Sequence, residues 1–189
     1  IKKGGIYAAI RTSLKSMDLT EAVEAEAQSM QRFGEFYARF LLLVQEEVAI
    51  IRDRLENIKG IKVTTSYPLL LRLFNARQTG DLSDVELEKC LGLVESFMVR
   101  RAVCGVPTNG LNKVFPQLAK NFPNTDYFQW LQRSLSSYSG NGRFPKDAEF
   151  ASAFTTQPQY GRGTTRFILC RLEKSFNHKE TVKDRKSVV

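Results

Sequence analysis

Ser83-Asp-Val-Glu-Leu-Glu-Lys-Cys-Leu-Gly-Leu-Val-Glu-Ser-Phe-Met-Val-Arg-Arg-Ala-Val-Cys-Gly105 is the stretch whose reading decides the fold class. Ser83 followed by Glu86 is a capping box, a pair that opens helices because the serine oxygen takes a backbone N–H the first turn cannot satisfy. Leu87, Cys90, Leu91, Val94, Phe97 and Met98 then recur at three- and four-residue steps, so one face of the helix is apolar and needs a core to pack on. Arg100 and Arg101 fall in the last turns, where cations favour the negative end of the helix dipole, and Gly105 stands just beyond as a stop.

The same periodicity extends in both directions. Upstream, Asp18 with Glu21 predicts a helix running to about Val44 with Val23, Met30, Phe33, Phe36, Tyr37 and Phe40 on its stripe. Glu46–Ile58 predicts a second, with Val48, Ile51 and Leu55 on one side and Gly60 as its left-handed terminator. Pro68 suits the first turn of a third, which carries Leu69, Leu70, Leu73 and Phe74 and closes at Gly80. Downstream, Val106–Gly110 is a turn in which Thr108 or Asn109 can cap a helix bearing Leu111, Val114, Phe115 and Leu118; Pro116 should kink that helix or confine it to its first turns. Thr125 or Asp126 opens the next, with Phe128, Trp130, Leu131 and Leu135. Pro145 leads into one with Phe150, Ala153 and Phe154, and a last one carries Phe167, Ile168, Leu169 and Leu172. With no strand alternation of useful length, the expected fold is all-α, an irregular bundle of about eight helices.

Composition narrows the function classes. The 189 residues are 42% hydrophobic and 25% charged with six prolines, which is the make-up of a globular chain rather than a disordered one. The longest apolar run, Phe40–Val44, is far short of the roughly 20 residues a membrane helix needs. The sequence opens at Ile1 without a methionine or a basic-then-apolar leader, which is expected of a processed chain or of a segment cut from a longer protein; the second reading is favoured. Cys90, Cys104 and Cys170 are odd in number and far apart, so a disulfide framework is not expected and a reducing, cytoplasmic setting is. The single histidine, His178, and the lack of any Cys-x-x-Cys pair leave a zinc site without a ligand set.

The charge is uneven. Residues 1–95 carry 13 basic and 14 acidic side chains, whereas residues 96–189 carry 15 and 6, so the excess of +8 lies in the second half. A phosphate-rich partner suits such a surface, because each neutralised phosphate releases a counterion; docking on an acidic neighbouring domain suits it equally. Aromatics alternate with basic residues there (Phe144 with Lys146, Tyr160 with Arg162, Arg166 with Phe167), as on a single-strand or flipped-base surface, though core packing explains such rings as well.

Catalytic constellations are scarce. Gly140–Gly142 and Gly161–Gly163 lack a preceding strand and a P-loop lysine and read as turns. Glu21, Glu24, Glu46 and Glu47 read as solvated faces with nearby cations, and His178, without an orienting partner, as a surface histidine. Arg100 and Arg101 project about 100° apart, so one of them should be partly buried; a dipole partner that also pairs with an acidic neighbour is favoured over a phosphate contact.

Glu95–Leu118 reads Glu-Ser-Phe-Met-Val-Arg-Arg-Ala-Val-Cys-Gly-Val-Pro-Thr-Asn-Gly-Leu-Asn-Lys-Val-Phe-Pro-Gln-Leu. This resembles the central signature of the GmrS/GmrD-like family of modification-dependent restriction endonucleases: a helix ending in an arginine pair, then Cys-Gly-x-Pro-Thr-Asn, then the next helix. Tyr67-Pro68 with its leucine-rich helix and the Phe167–Glu173 segment extend the resemblance to most of the chain from about Phe33 onward. The resemblance implies a parent that cleaves foreign, modified DNA in anti-phage defence. That parent would have an N-terminal nucleotide-handling domain with an Asp-Gly-Gln-Gln-Arg type motif and a C-terminal His-Asn-His type nuclease with a His-Ile-Met-Pro-Gln strand. Neither motif occurs in these residues. The nucleoside triphosphate and divalent metal of such a parent are therefore expected outside them, and no catalytic, cofactor or metal residue is assigned here.

The expectation is a non-catalytic helical middle region. Residues 1–62 would hold N-terminal helices including the last of the preceding domain, 63–176 the central helical domain, and 177–189 a linker toward the nuclease. Its partners would be DNA and the flanking domains of the same chain. The DNA-contact candidates are Lys113, Lys120, Arg143, Arg162, Arg166 and Arg171; Arg100, Arg101, Pro107, Thr108 and Asn109 carry the signature and are read as structural. The alternative is a protein–protein scaffold that binds no nucleic acid.

Overall fold

In a computed structural model, residues 19–161 and 163–176 are described, together with Ala8, Arg11 and Thr12. Asp18, Arg162 and His178, each given a part above, lie outside the described residues, as does the 177–189 segment. Among the described residues the fold is all-α, with eight helices and no strand: α1 Leu19–Phe40, α2 Ala49–Gly60, α3 Tyr67–Gln78, α4 Asp84–Val103, α5 Leu111–Lys120, α6 Tyr127–Ser137, α7 Asp147–Thr156 and α8 Thr165–Ser175. Short 3-10 turns at Thr64–Ser66, Thr108–Gly110 and Gly140–Gly142 join them. No helix among these residues is long and apolar enough to cross a membrane.

The central element is α4, and its stripe is buried as its periodicity requires: Leu87, Cys90, Leu91, Val94 and Phe97 have no exposed surface. It packs most extensively on α2 and also on α6, α3 and α7, while α3 packs on α5 and α1. One continuous apolar cluster results, from Phe36 and Phe40 of α1 through Leu73 and Phe74 of α3 to Phe115 of α5 and Leu131 and Leu135 of α6. A smaller cluster of Val103, Ala153 and Ile168 joins the end of α4 to α7 and α8.

The capping box works by halves. Ser83 Oγ accepts from the Glu86 N–H at 3.2 Å, as expected, but the Glu86 carboxylate turns to the Phe128 N–H at 3.3 Å and so caps α6. Asp126, at the N-cap position of α6, makes no side-chain cap and sits at φ 52. Neither Thr108 nor Asn109 caps α5, which grows directly from the preceding 3-10 turn. Pro116 does not confine α5, since the helix runs four residues beyond it to Lys120.

Two helix ends differ from the sequence reading. The first helix ends at Phe40 rather than near Val44, because Leu42 turns left-handed at φ 56 and the N–H groups of Leu42 and Leu43 reach back to the Arg39 and Ala38 carbonyls. Gly60 is still helical in α2, and Lys62, at φ 60, makes the left-handed turn instead. The absence of a side chain at Gly60 serves packing, since a Cβ there would lie 3.2 Å from the Phe167 ring. On α1 only part of the predicted stripe is inside: Phe36 and Phe40 are buried, while Val23, Met30 and Tyr37 are exposed.

Glu46 is the main misread position. It precedes α2 instead of starting it and is 3% exposed rather than solvated. Its carboxylate accepts from the Val48 N–H at 3.2 Å and pairs with Arg77 at 3.1 Å and Arg39 at 3.5 Å. Two guanidiniums and an amide stand where water would otherwise solvate this carboxylate.

Candidate functional site

The arginine pair at the end of α4 splits into two roles. Arg100 keeps a foot in solvent: it pairs with Asp147 at 2.6 Å, donates to the Pro145 carbonyl at 3.2 Å and lies over the rings of Phe144 and Phe150. This matches the expected dipole partner with an acidic neighbour. Arg101 is 2% exposed and has no carboxylate partner among the described residues. Its Nη1 donates to the Arg143 carbonyl at 2.9 Å and its Nη2 to the Pro107 and Asn141 carbonyls at 2.7 Å each, while Phe97 lies beneath the guanidinium. Burial, and then the charge of Arg143, push the Arg101 pKa below its ordinary value.

This arrangement ties three separate segments together: the end of α4, the Val-Pro-Thr-Asn-Gly turn, and the Gly140–Gly142 turn. Backbone carbonyls aimed at a buried cation replace part of its hydration, and the planar fork of arginine reaches three of them at once, while Arg101 Nε is buried without a hydrogen-bond partner among the described residues. Asn141 Nδ2 adds a bond to Asn109 Oδ1 at 3.1 Å, so the signature residues Pro107 and Asn109 both meet the second turn. Thr108 is exposed between them. Arg101 thus joins these three segments, while Arg100 reaches the start of α7.

Three concave regions lie around this frame. The first, about 520 Å³, separates the start of α5 from the turn after α6 and is lined by Asn109, Lys113, Gln117, Tyr138 and Asn141 among others. It shares Gln117 and Tyr138 with a second hollow of about 260 Å³ that reaches Asn121, Ser134 and Trp130. The third, about 420 Å³, lies between α2, α4, α7 and α8, with Phe150, Phe154, Phe167 and Ile168 on its apolar side. On its polar side the half-buried Arg54 holds Glu95 at 2.8 Å and Glu88 at 2.6 Å. Burial opposes the charge of Arg54, yet the hydrogen bonds to Glu95 and Glu88 outweigh it and raise its pKa.

The six DNA-contact candidates do not form one group. Lys113 and Lys120 are exposed on α5, and Lys113 lines the first hollow. Arg143 is half-buried and ion-paired to Glu149 at 2.5 Å, with its carbonyl taken by Arg101. Arg166 and Arg171 are exposed on α8, where Arg171 approaches Glu95 at 3.5 Å; Arg162 is outside the described residues. Of the interleaved aromatics, Phe144 packs on Phe97 at 5.3 Å and Phe167 against the core, whereas Tyr160 is 94% exposed. Sequence reasoning missed the amide row Asn109, Gln117 and Asn121 beside Lys113, though its four-residue spacing was there to be read.

Among the described residues no group of three or more His, Cys, Asp or Glu side chains could hold a metal ion. Cys90, Cys104 and Cys170 are free thiols, and burial, with a smaller push from Glu86, raises the Cys90 pKa to about 12. The chain matches no protein-family model, no curated protein and no solved structure.

Proposed function

We propose that this chain is the non-catalytic helical middle of a GmrSD-like restriction endonuclease, which links a nucleotide-handling domain to a nuclease domain and contacts DNA. The observation that carries the reading is the burial of Arg101 against the Pro107, Asn141 and Arg143 carbonyls. The arginine pair and proline turn, the part of the sequence that resembles that family most, supply a rigid joint and no reacting group. A region that transmits position between two domains needs such a joint, because coupling travels through packed and hydrogen-bonded elements. The basic excess of residues 96–189 supports DNA as the ligand.

The test is a titration of the purified chain with duplex DNA at several salt concentrations. Affinity should fall steeply as salt rises, and charge reversal at Arg162 and Arg166 should weaken it; a flat salt response refutes the DNA contact.

A second reading, a scaffold that binds only protein, is favoured by one observation. Arg100, Arg143 and Arg171 already face Asp147, Glu149 and Glu95 within the chain, which lowers the charge left for phosphate. On that reading the same charge reversals release a neighbouring domain and leave DNA binding unchanged.

A further inference from the structure

We propose that the trough between α5 and α6 is a binding site for single-stranded nucleic acid, with Trp130 and Tyr138 as stacking platforms and Lys113 as a phosphate contact. The proposal deepens the DNA-contact reading above and rests on it. Its ground is the way two hollows lie side by side, with Gln117 and Tyr138 lining both. Asn109, Lys113, Gln117 and Asn121 stand four residues apart, a ridge that starts in the 3-10 turn before α5, follows α5 and ends just past it, and they line the two hollows in turn. Opposite them, Trp130, Ser134, Tyr138 and Asn141 form the second wall. The Asn141–Asn109 hydrogen bond closes one end, and Asn121 and Trp130 flank the other, so α5 and α6 run antiparallel beneath the trough.

The chemistry of these walls is selective. Amides and hydroxyls can read base edges, half-buried aromatic rings offer π-faces that any base can stack on, and a lysine supplies charge for the backbone. No carboxylate lines either hollow among the described residues. The surrounding segment, residues 104–142, carries three basic side chains (Lys113, Lys120 and Arg133) against the single carboxylate of Asp126. A cation site would need acidic groups here; a polyanion with flat, hydrogen-bonding bases is favoured by their absence. At about 1.5 Å per residue the ridge spans roughly 18 Å, the reach of about three to five nucleotides. The floor is held in place from below by Arg101, which grips the Asn141 and Pro107 carbonyls.

Trp130 is the one tryptophan of the sequence, so the site carries its own reporter. The full chain is titrated with a twelve-residue oligothymidylate, read by tryptophan emission and, with a labelled strand, by anisotropy. The expected result is quenching of Trp130 on binding, with affinity reduced about five- to hundredfold in Tyr138→Leu, as loss of one stacking platform implies. The exposed pair Lys113→Glu with Gln117→Glu, which leaves the core untouched, should weaken binding similarly and guards against a folding defect in the first variant. Arg166→Glu on α8 should leave oligothymidylate binding intact. If DNA binds but responds to Arg166→Glu and not to the trough variants, the trough assignment is overturned while DNA contact stands. If neither single-stranded nor duplex DNA binds, both fall. A shift of Trp130 emission with a neutral oligosaccharide such as maltoheptaose, but not with the oligonucleotide, overturns the assignment in favour of a glycan site.

Discussion

A Cβ at Gly110 would stand 2.2 Å from the carbonyl oxygen of Asn141, so the turn that begins α5 and the turn that follows α6 meet backbone to backbone. The same carbonyl accepts from Arg101 at 2.7 Å. Close approach and hydrogen bond require each other: the guanidinium reaches Asn141 only because nothing at Gly110 holds the turn away. The joint is therefore specified by three short segments of chain at once.

Adding one methyl group should have opposite effects at two glycines. Gly110→Ala forces backbone apart at a site where the obstacle is itself backbone, and should cost about 1–3 kcal/mol as overpacking does. Gly34→Ala, in the exposed middle of α1 with nothing within 4 Å, should stabilise by about 0.5–1 kcal/mol through helix propensity. Urea unfolding of the two variants beside the parent chain checks the pair of signs.

Replacing Arg101 by Met should be among the most damaging single changes. It removes the donor of the Pro107, Asn141 and Arg143 carbonyls, and losing hydrogen bonds to a charged group costs about 1.5–3 kcal/mol each. Arg101→Lys should recover only part of the loss, since an ammonium lacks the fork that reaches three carbonyls. Asp147→Ala, which removes the partner of Arg100, should cost at most about 1 kcal/mol because Asp147 is 91% exposed. Equal melting temperatures for the Arg101→Met and Asp147→Ala variants would contradict this division of roles.

The sequence made local matters legible and left non-local ones dark. The Ser83 cap, the buried stripe of α4 and the first-turn Pro68 follow from rules acting within a turn or two of helix. Leu42 and Lys62 were unreadable as left-handed positions because no glycine marks them; tertiary contacts, such as Lys59 Nζ on the Leu41 carbonyl at 2.6 Å, hold the turn that follows α1. Glu46 looked like one more helix-surface carboxylate, and its partner Arg77 is 31 residues away. The burial of one arginine of the pair could be anticipated from their angular separation, but not that carbonyls would receive it. The trough was half legible: the Asn109, Lys113, Gln117 and Asn121 spacing is local, whereas its opposition to Trp130 and Tyr138 depends on how α6 packs.

The three thiols should separate cleanly by accessibility. Cys170 is exposed, Cys104 is half-buried with its pKa raised first by burial and then by Glu149, and Cys90 has no exposed surface. Alkylation of the native chain at neutral pH, followed by peptide mass spectrometry, should label Cys170 first, Cys104 more slowly and Cys90 only on unfolding. The pH dependence has a definite sign. In the unfolded chain Cys90 ionises near its ordinary value of 9, whereas the folded thiol holds its proton to about 12. Between those values the unfolded state has lost a proton that the native state keeps, so stability falls as pH rises through that window and is unaffected below it. Cys90→Ala should flatten that decline in alkaline unfolding curves.

Glu86 offers the sharpest local test, because it lies at the start of one helix and caps another. Ser83→Ala should expose the Glu86 N–H and cost about 1 kcal/mol, with faster hydrogen exchange at Glu86 itself. Glu86→Ala should leave that amide protected by the serine and instead speed exchange at Phe128, 42 residues on, since the Phe128 N–H loses its acceptor. Glu86→Gln keeps a side-chain carbonyl in place and should retain most of the protection at Phe128 while losing the favourable charge at the N-terminus of α6. Exchange that quickens only at Glu86 in all three variants would mean that the carboxylate serves its own helix, as the capping-box pattern alone suggests.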